Sequence, residues 1–257
     1  MVTEPTRTLR VDQVPIMIFE SNGALGARAA QDLTRIIAQA IADHGQASLV
    51  LATGNSQLSF MEALRAQKGI EWTKVVVFHM DEYLGMSDQH PASFPRYIQE
   101  KLTDIVRPRA FFPMRGEAPD VEAELARYTA LLKQYPPDAC VLGIGENGHL
   151  AFNDPPADFY THAVIHVVTL DEKCRLQQVG EGHFAGLDDV PRQALSLTVP
   201  ALLAAKRVLA VVPEARKAEA VKAAFEGPVT PQCPASILRT QPHVTVYLDN
   251  ESAALLS

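Results

Sequence analysis

Apolar residues along this chain follow two alternating rhythms. A short apolar run at 15–19, PIMIF, precedes residues 23–44, where Leu25, Ala29, Leu33, Ile36, Ile37, Ala40 and Ile41 recur at helical spacing. The pair predicts a strand followed by an amphipathic helix. The alternation continues with a strand at 47–52, a helix at 57–67, a strand at 75–80, helices at 94–102 and 121–133, and a strand at 139–144. Later strands are predicted at 163–169, 194–198, 207–212 and 244–248, with helices at 201–205 and 215–225. Segments such as KVVVFHM and ACVLGIG are apolar almost throughout, as strands covered on both faces are. Strand–helix alternation of this kind predicts an α/β fold, a Rossmann-like three-layer domain with a mostly parallel sheet. No repeat or low-complexity tract interrupts it, and the Pro/Gly clusters at 135–138 and 227–234 have the length of ordinary loops. Residues 1–257 are therefore expected to form a single domain.

Ligands of such sheets bind outside the carboxyl ends of the strands, so polar residues that directly follow a strand are the candidates. Thr53, Gly54, Asn55, Ser56 and Gln57 offer backbone N–H groups and hydroxyls to an anion at a helix N-terminus. They match neither GxGxxG nor GxxxxGK[ST], and also read as a plain turn in which Asn55 or Ser56 caps the next helix. Asp81 and Glu82 follow the strand at 75–80, where a partly desolvated carboxylate would suit a general base; solvated turn residues are the alternative. In GIGENGHLAFNDP, residues 143–155, Gly143, Gly145 and Gly148 surround His149, with Asp154 five residues on. Packing does not explain a glycine-framed histidine at a strand end, whereas His162 and His166 lie in the apolar pattern FYTHAVIHVV and read as structural. His149, Asp154, Glu146 and Asp81 could converge on a metal, but HExxH and a second histidine at ligand spacing are missing, so no metal is expected. Glu214, Ala215, Arg216 and Lys217 open a helix. Cations there oppose the macrodipole, which a bound anion would explain; simple solvation, with Glu214 offsetting the dipole, is the alternative.

Composition narrows the function classes. At 257 residues, 47% hydrophobic, the chain can bury a sizeable core. A net charge of −7 with no Lys/Arg-rich run argues against nucleic-acid binding, so an anionic ligand would need a local basic site. The three cysteines are widely spaced without a CxxC pair, as reduced thiols of a cytoplasmic protein are. The N-terminal residues contain no apolar h-region, and no stretch reaches the ~18 apolar residues of a membrane span, so neither secretion nor membrane insertion is expected.

Taken in order, LATGNSQ, FHMDEYLG followed by HPASF, GIGENGHLAFNDP and VVPEARKAEAV resemble the glucosamine-6-phosphate deaminase family over about residues 47–248. The lactonases that hydrolyse 6-phosphogluconolactone share the fold, the Gly-rich loop and a GxGxxGH segment; DEY and AFN are similar to the deaminase branch. The resemblance implies isomerisation of an aldose to a ketose with loss of the 2-amino group. Glucosamine 6-phosphate, or an epimer, would give a ketose 6-phosphate and ammonia without metal or organic cofactor. It implies Asp81 as the base that moves a proton between C2 and C1, and His149 as the group that assists ring opening. Thr53, Gly54, Asn55, Ser56, Gln57 and Lys217 would hold the phosphate, with Glu82 and Gly148 beside the substrate. Two positions depart from the pattern. Asn147 stands where better-known deaminases carry aspartate, and Asp154 where they carry glutamate. Asn147 would then orient the imidazole through its amide oxygen, without charge, and leave more of the electrostatic task to Asp154. The family's arginine has no clear counterpart in DEKCRLQQVGEG, where Arg175 is nearest. Lactone hydrolysis, which needs His149 and the phosphate grip but no shuttle by Asp81, is the alternative activity; a silent sugar-phosphate sensor is the non-enzymatic one. A homo-oligomer is compatible with the sequence. No extended tail like that of allosteric hexamers follows the last strand, so allosteric activation is not expected.

Overall fold

The computed structural model describes residues 2–257. Among these residues, eleven strands form two sheets. They are β1 (Arg7–Val11), β2 (Val14–Phe19), β3 (Ala47–Leu51), β4 (Val75–His79), β5 (Asp81–Tyr83), β6 (Ala110–Phe112), β7 (Ala139–Leu142), β8 (Ile165–Thr169), β9 (Gln193–Leu197), β10 (Arg207–Val212) and β11 (Val244–Asp249). The large sheet has the order β1-β2-β11-β10-β7-β3-β4-β6 and is parallel except for the β1–β2 hairpin. The small one, β5-β9-β8, is antiparallel.

Eight helices connect the strands: α1 (Asn22–His44), α2 (Leu58–Ala66), α3 (Phe94–Ile98), α4 (Asp104–Val106), α5 (Val121–Gln134), α6 (Glu172–Gly180), α7 (Val199–Leu203) and α8 (Ala218–Glu226). The strand pleat sends alternate side chains to opposite faces. Leu49 and Leu51 of β3, and Leu209 and Val211 of β10, pack with Leu25, Leu33 and Ile37 of α1 and Phe60 and Leu64 of α2. Val50, Val208, Ala210 and Val212 point the other way, into a core shared with Tyr128 of α5, Leu202 of α7 and Phe225 of α8. Both faces are covered, which is why the central strands are apolar at every position, and the three-layer α/β arrangement holds.

Several elements differ from the sequence expectation. The helix predicted at 94–102 is split into α3, a π turn at Gln99–Thr103 and α4. The helix predicted at 201–205 starts two residues earlier, because the Thr198 side chain caps it and Pro200 fits its first turn. The helix predicted at 215–225 opens as a 3₁₀ turn, Ala215–Lys217. Asp81–Tyr83 is a strand rather than a turn: leaving β4, the chain pairs with β9, Asp81 opposite Ser196. His162 is exposed, not core; His166 is half-buried, with Nε2 3.1 Å from the Asn153 amide oxygen.

The α1–α2 contact is close enough to exclude a methyl group. A Cβ on Gly26 would lie 2.7 Å from the Phe60 amide nitrogen and 2.8 Å from the Ser59 carbonyl carbon, whereas one on Gly23 would meet only Ser21 Oγ at 3.9 Å. Gly26→Ala is expected to cost about 1–3 kcal/mol in urea unfolding because backbone has to move, and Gly23→Ala to cost nothing; equal midpoints for the two variants would contradict this packing.

Candidate active site

One pocket of about 650 Å³, its open mouth included, lies beyond the carboxyl ends of β3, β4, β7 and β10. This is the crevice such sheets form where the chain order switches direction: from β3 it proceeds outward to β4, and from β7 the other way through β10 to β11. Four segments from distant parts of the sequence therefore meet here.

Thr53, Gly54, Ser56 and Gln57 line one end. Gly54 has φ +96° and ψ 168°, a conformation open in practice only to glycine. Its carbonyl accepts the Tyr97 hydroxyl (3.0 Å), and Gln57 Nε2 donates to the Val211 carbonyl (3.0 Å), which tethers the loop to α3 and β10. Asn55 points away from the pocket and donates to the Glu181 carbonyl (3.2 Å). Lys217 reaches the same end from beyond β10. It is 3% exposed, and its ammonium has no hydrogen-bond or ion-pair partner among the described residues. Burial lowers its pKa, as does the neighbouring Arg216, against the opposing pull of Glu181, Glu146 and Glu214. Before it, Glu214 is held at φ +84°, strained for a non-glycine residue, by two hydrogen bonds from its N–H to the Asp249 carboxylate.

Asp81 lines the opposite wall, 6% exposed. Its carboxylate has no partner among the described residues, and burial alone raises its pKa to about 8. Behind it, His79 accepts the Met114 N–H through Nε2 (2.8 Å), and burial lowers its pKa to about 3, so it is a neutral support. Glu82 turns into the scaffold instead of the pocket. It accepts Ser93 Oγ (2.8 Å) and the N–H groups of Phe94 (3.1 Å) and Tyr83 (2.7 Å), and pins the segment that follows to the base of β5. Burial raises its pKa to about 8 in spite of these donors.

His149 occupies the floor of the pocket. Its ring lies flat on Gly145, where a Cβ would come 2.2 Å from both Cε1 and Nε2; this close approach, not a turn, demands glycine at 145. Gly148 does not line the pocket; with φ +84° it forms the turn and backs onto Cys233. Asp154 Oδ1 is 3.1 Å from His149 Nδ1. Burial pushes the Asp154 carboxyl up, but the adjacent His149 imidazole and hydrogen bonds from Asn147 and the Asp171 N–H outweigh it and hold the pKa below the usual value. Asn147 makes no hydrogen bond to the imidazole among the described residues, contrary to the sequence expectation. Its amide oxygen accepts the His149 backbone N–H (3.0 Å) and its Nδ2 donates to Asp154 (2.9 Å) and Asp171 (3.3 Å). It orients the histidine through the backbone and the carboxylate.

A fourth wall was not foreseen: Gln177, Gln178 and Glu181, from α6 and its C-terminus, close the pocket. The sequence offers one signal for this helix, Asp171 as its cap, whose carboxylate accepts the Cys174 N–H (2.5 Å). Arg175 serves the scaffold, donating to the carbonyls of Leu187 (2.5 Å) and Val190 (3.0 Å). Of the residues weighed as metal ligands, Glu146 pairs with Arg216 (3.1 Å) and Asp81 stands apart. His149, Asp154 and Cys174 do bring N, O and S donors within 4.8 Å, but burial pushes the Cys174 thiol up and keeps it protonated, which opposes metal binding.

Residues 20–247 match the family model for glucosamine-6-phosphate isomerases and 6-phosphogluconolactonase. The chain belongs to this family. It is 38% identical to the glucosamine-6-phosphate deaminase of Exiguobacterium sibiricum over 87% of each chain, and 35% identical to that of Listeria monocytogenes over 93% of this chain and 99% of the relative. Among solved structures it is similar to a monomeric glucosamine-6-phosphate deaminase, with a TM-score of 0.84 and 31% identity over 93% of this chain and 99% of the other. A 6-phosphogluconolactonase from Shewanella baltica, with a TM-score of 0.74 and 20% identity over 91% and 96%, shares the fold.

The desolvated Asp81 makes folding stability depend on pH. Its pKa is higher folded than unfolded, so the folded state holds the proton more tightly, and stability is lost as pH rises from about 4 to about 8. Asp81→Asn removes that ionisation. The variant is expected to match the wild type in thermal midpoint near pH 4 and to exceed it increasingly up to pH 8; a gap that does not widen with pH would refute the desolvation of Asp81.

Proposed function

We propose that this protein converts glucosamine 6-phosphate, or an epimer, and water into a ketose 6-phosphate and ammonia, acting as a single domain. One observation carries the reading: a single pocket is lined by Asp81, a buried carboxylate, and Lys217, a buried lysine, both without a partner among the described residues, and by His149, an imidazole set against a carboxylate. The lysine and the Thr53–Gln57 backbone suit a phosphate, to which they offer a cation and N–H donors in a protein of net charge −7. The deaminases among the relatives support the same assignment.

In this mechanism the sugar phosphate enters as a ring, and His149, held through Nδ1 by Asp154, uses its other nitrogen to help move the O1 proton to the ring oxygen. Ionised Asp81 then takes the proton from C2 and returns it to C1. As the nitrogen at C2 gives up a proton and the C1 aldehyde oxygen takes one up, that nitrogen becomes an imine; water adds at C2, its oxygen becomes the ketone oxygen, and its two protons leave with the nitrogen as ammonia. Asn147 and Asp154 act on His149, not on the sugar. The free thiols Cys140, Cys174 and Cys233 fit a reducing, cytoplasmic setting.

Incubation with glucosamine 6-phosphate is expected to release ammonia and fructose 6-phosphate in equal amounts; no product at millimolar substrate would overturn the reading for that epimer. Because the base works only when ionised, kcat/KM is expected to rise with pH and level off above about 8. Asp81→Asn should lower kcat by about 10²–10⁴. Full activity of this variant on a sugar-phosphate lactone, without ammonia release from the amino sugar, would assign lactone hydrolysis instead. Gly145→Ala should abolish turnover while the protein stays folded by circular dichroism, because the imidazole has nowhere to lie.

A further inference from the structure

The anion end of the pocket holds more negative than positive charge. Arg216 and Lys217 face Glu146, Glu181 and Glu214, one carboxylate in excess. Arg216 is paired with all three: Nη1 lies 2.7 Å from Glu181 and 3.1 Å from Glu146, and Nε 2.5 Å from Glu214. Its Nη2 meanwhile donates to Ser56 Oγ (3.3 Å), inside the loop that would take a phosphate. A dianion entering this arrangement unchanged would meet net repulsion.

Glu181 is the group positioned to yield. One of its carboxylate oxygens lies 3.7 Å from where a Cβ on Gly54 would stand, over the loop itself. It gathers the groups an anion would gather: Arg216 and Gln177 Nε2 (2.8 Å) donate to it, and His183 Nε2 lies nearby at 3.5 Å. Burial pushes its pKa up, but these donors outweigh burial and bring it to about 2. Gly180 and Gly182 bracket it; a Cβ on either would touch nothing, and Gly182 has φ +81°. The side-chain positions on either side of Glu181 are thus open, while its backbone carbonyl is held by Asn55 Nδ2 (3.2 Å), so the carboxylate can swing away without the turn coming apart.

We propose that the Glu181 carboxylate holds the place of the substrate's phosphate in the empty pocket, and that Arg216 is the cation passed from one to the other. The two residues then set phosphate affinity in opposite directions although they are partners: Arg216 supplies attraction and Glu181 competes for it. This rests on the reading that the Thr53–Gln57 end takes a phosphate.

Calorimetric titration of the full chain with inorganic phosphate tests the exchange apart from turnover. Glu181→Gln should tighten binding and Arg216→Gln weaken it, each on the order of tenfold, with Arg216→Lys in between because it keeps the charge but loses the fork. If Glu181 and Arg216 merely clamp α6, both neutral variants weaken binding together, and that result overturns the proposal. So do changes within twofold for both. If Glu181→Gln does not fold, Glu181→Asp, one methylene shorter, should tighten binding to a smaller degree, and weaker binding by it counts against the exchange. Opposite shifts in phosphate affinity without ammonia release from glucosamine 6-phosphate would uphold the exchange and refute the proposed reaction.

Discussion

The site depends on keeping a carboxylate out of water without giving it a partner. An isolated buried charge is costly enough that the group shifts its pKa instead, and Asp81 does so, to about 8. The fold holds it in that position from several sides. β5 pairs with β9, His79 sits neutral behind it, and Glu82 fixes the following segment through three hydrogen bonds. Gly116 lets a neighbouring loop come so close to the Tyr83 carbonyl that a Cβ would be 2.3 Å away. A turn residue at the end of β4 would have moved toward solvent; a residue in a second sheet cannot.

Asp81 and Asp154 show how one pocket separates two carboxylates. Asp81 has no donors among the described residues and is pushed up; Asp154, also largely buried, accepts from Asn147 and the Asp171 N–H beside the His149 imidazole and is held down. Environments that drive like groups apart allow one to exchange protons while the other stays charged. Asn147 belongs to this division. A neutral amide can donate to Asp154 where an aspartate would place a second negative charge beside it. Its oxygen also fixes the His149 backbone. The change therefore does not remove the charge opposite the imidazole. That charge resides on Asp154, whose shorter side chain still comes within 3.1 Å of Nδ1.

Most of the large sheet was legible because its strands are buried on both faces and thus continuously apolar, as VVVFH and ACVL are. The segments that carry Ser56, Asp81, His149 and Lys217 were legible for the same reason, each following such a strand. Short, half-buried edge strands escaped: β1 exposes Arg7, Thr8 and Arg10, and β6 has three residues. Glu82 was misread because adjacent carboxylates at a strand end look alike in sequence, while pleating sends one to the pocket and the other into the scaffold. Asn147 was misread because its partner, Asp154, comes near only through the fold of the loop.

α6 escaped for a reason that bears on function. Periodicity finds helices by an apolar stripe, but here Cys174, Gln178 and Glu181 fall at i, i+4 and i+7, and the stripe is polar. Each of the three meets a different part of the site. Cys174 lies beside Asp154 and His149, Gln178 accepts the Tyr83 hydroxyl (2.9 Å), and Glu181 pairs with Arg216. A helix covering a polar pocket cannot be apolar on the face it presents. One rigid element thus contacts the imidazole network, the strand that carries Asp81 and the anion end, and a shift of its C-terminal turn alters the surroundings of all three.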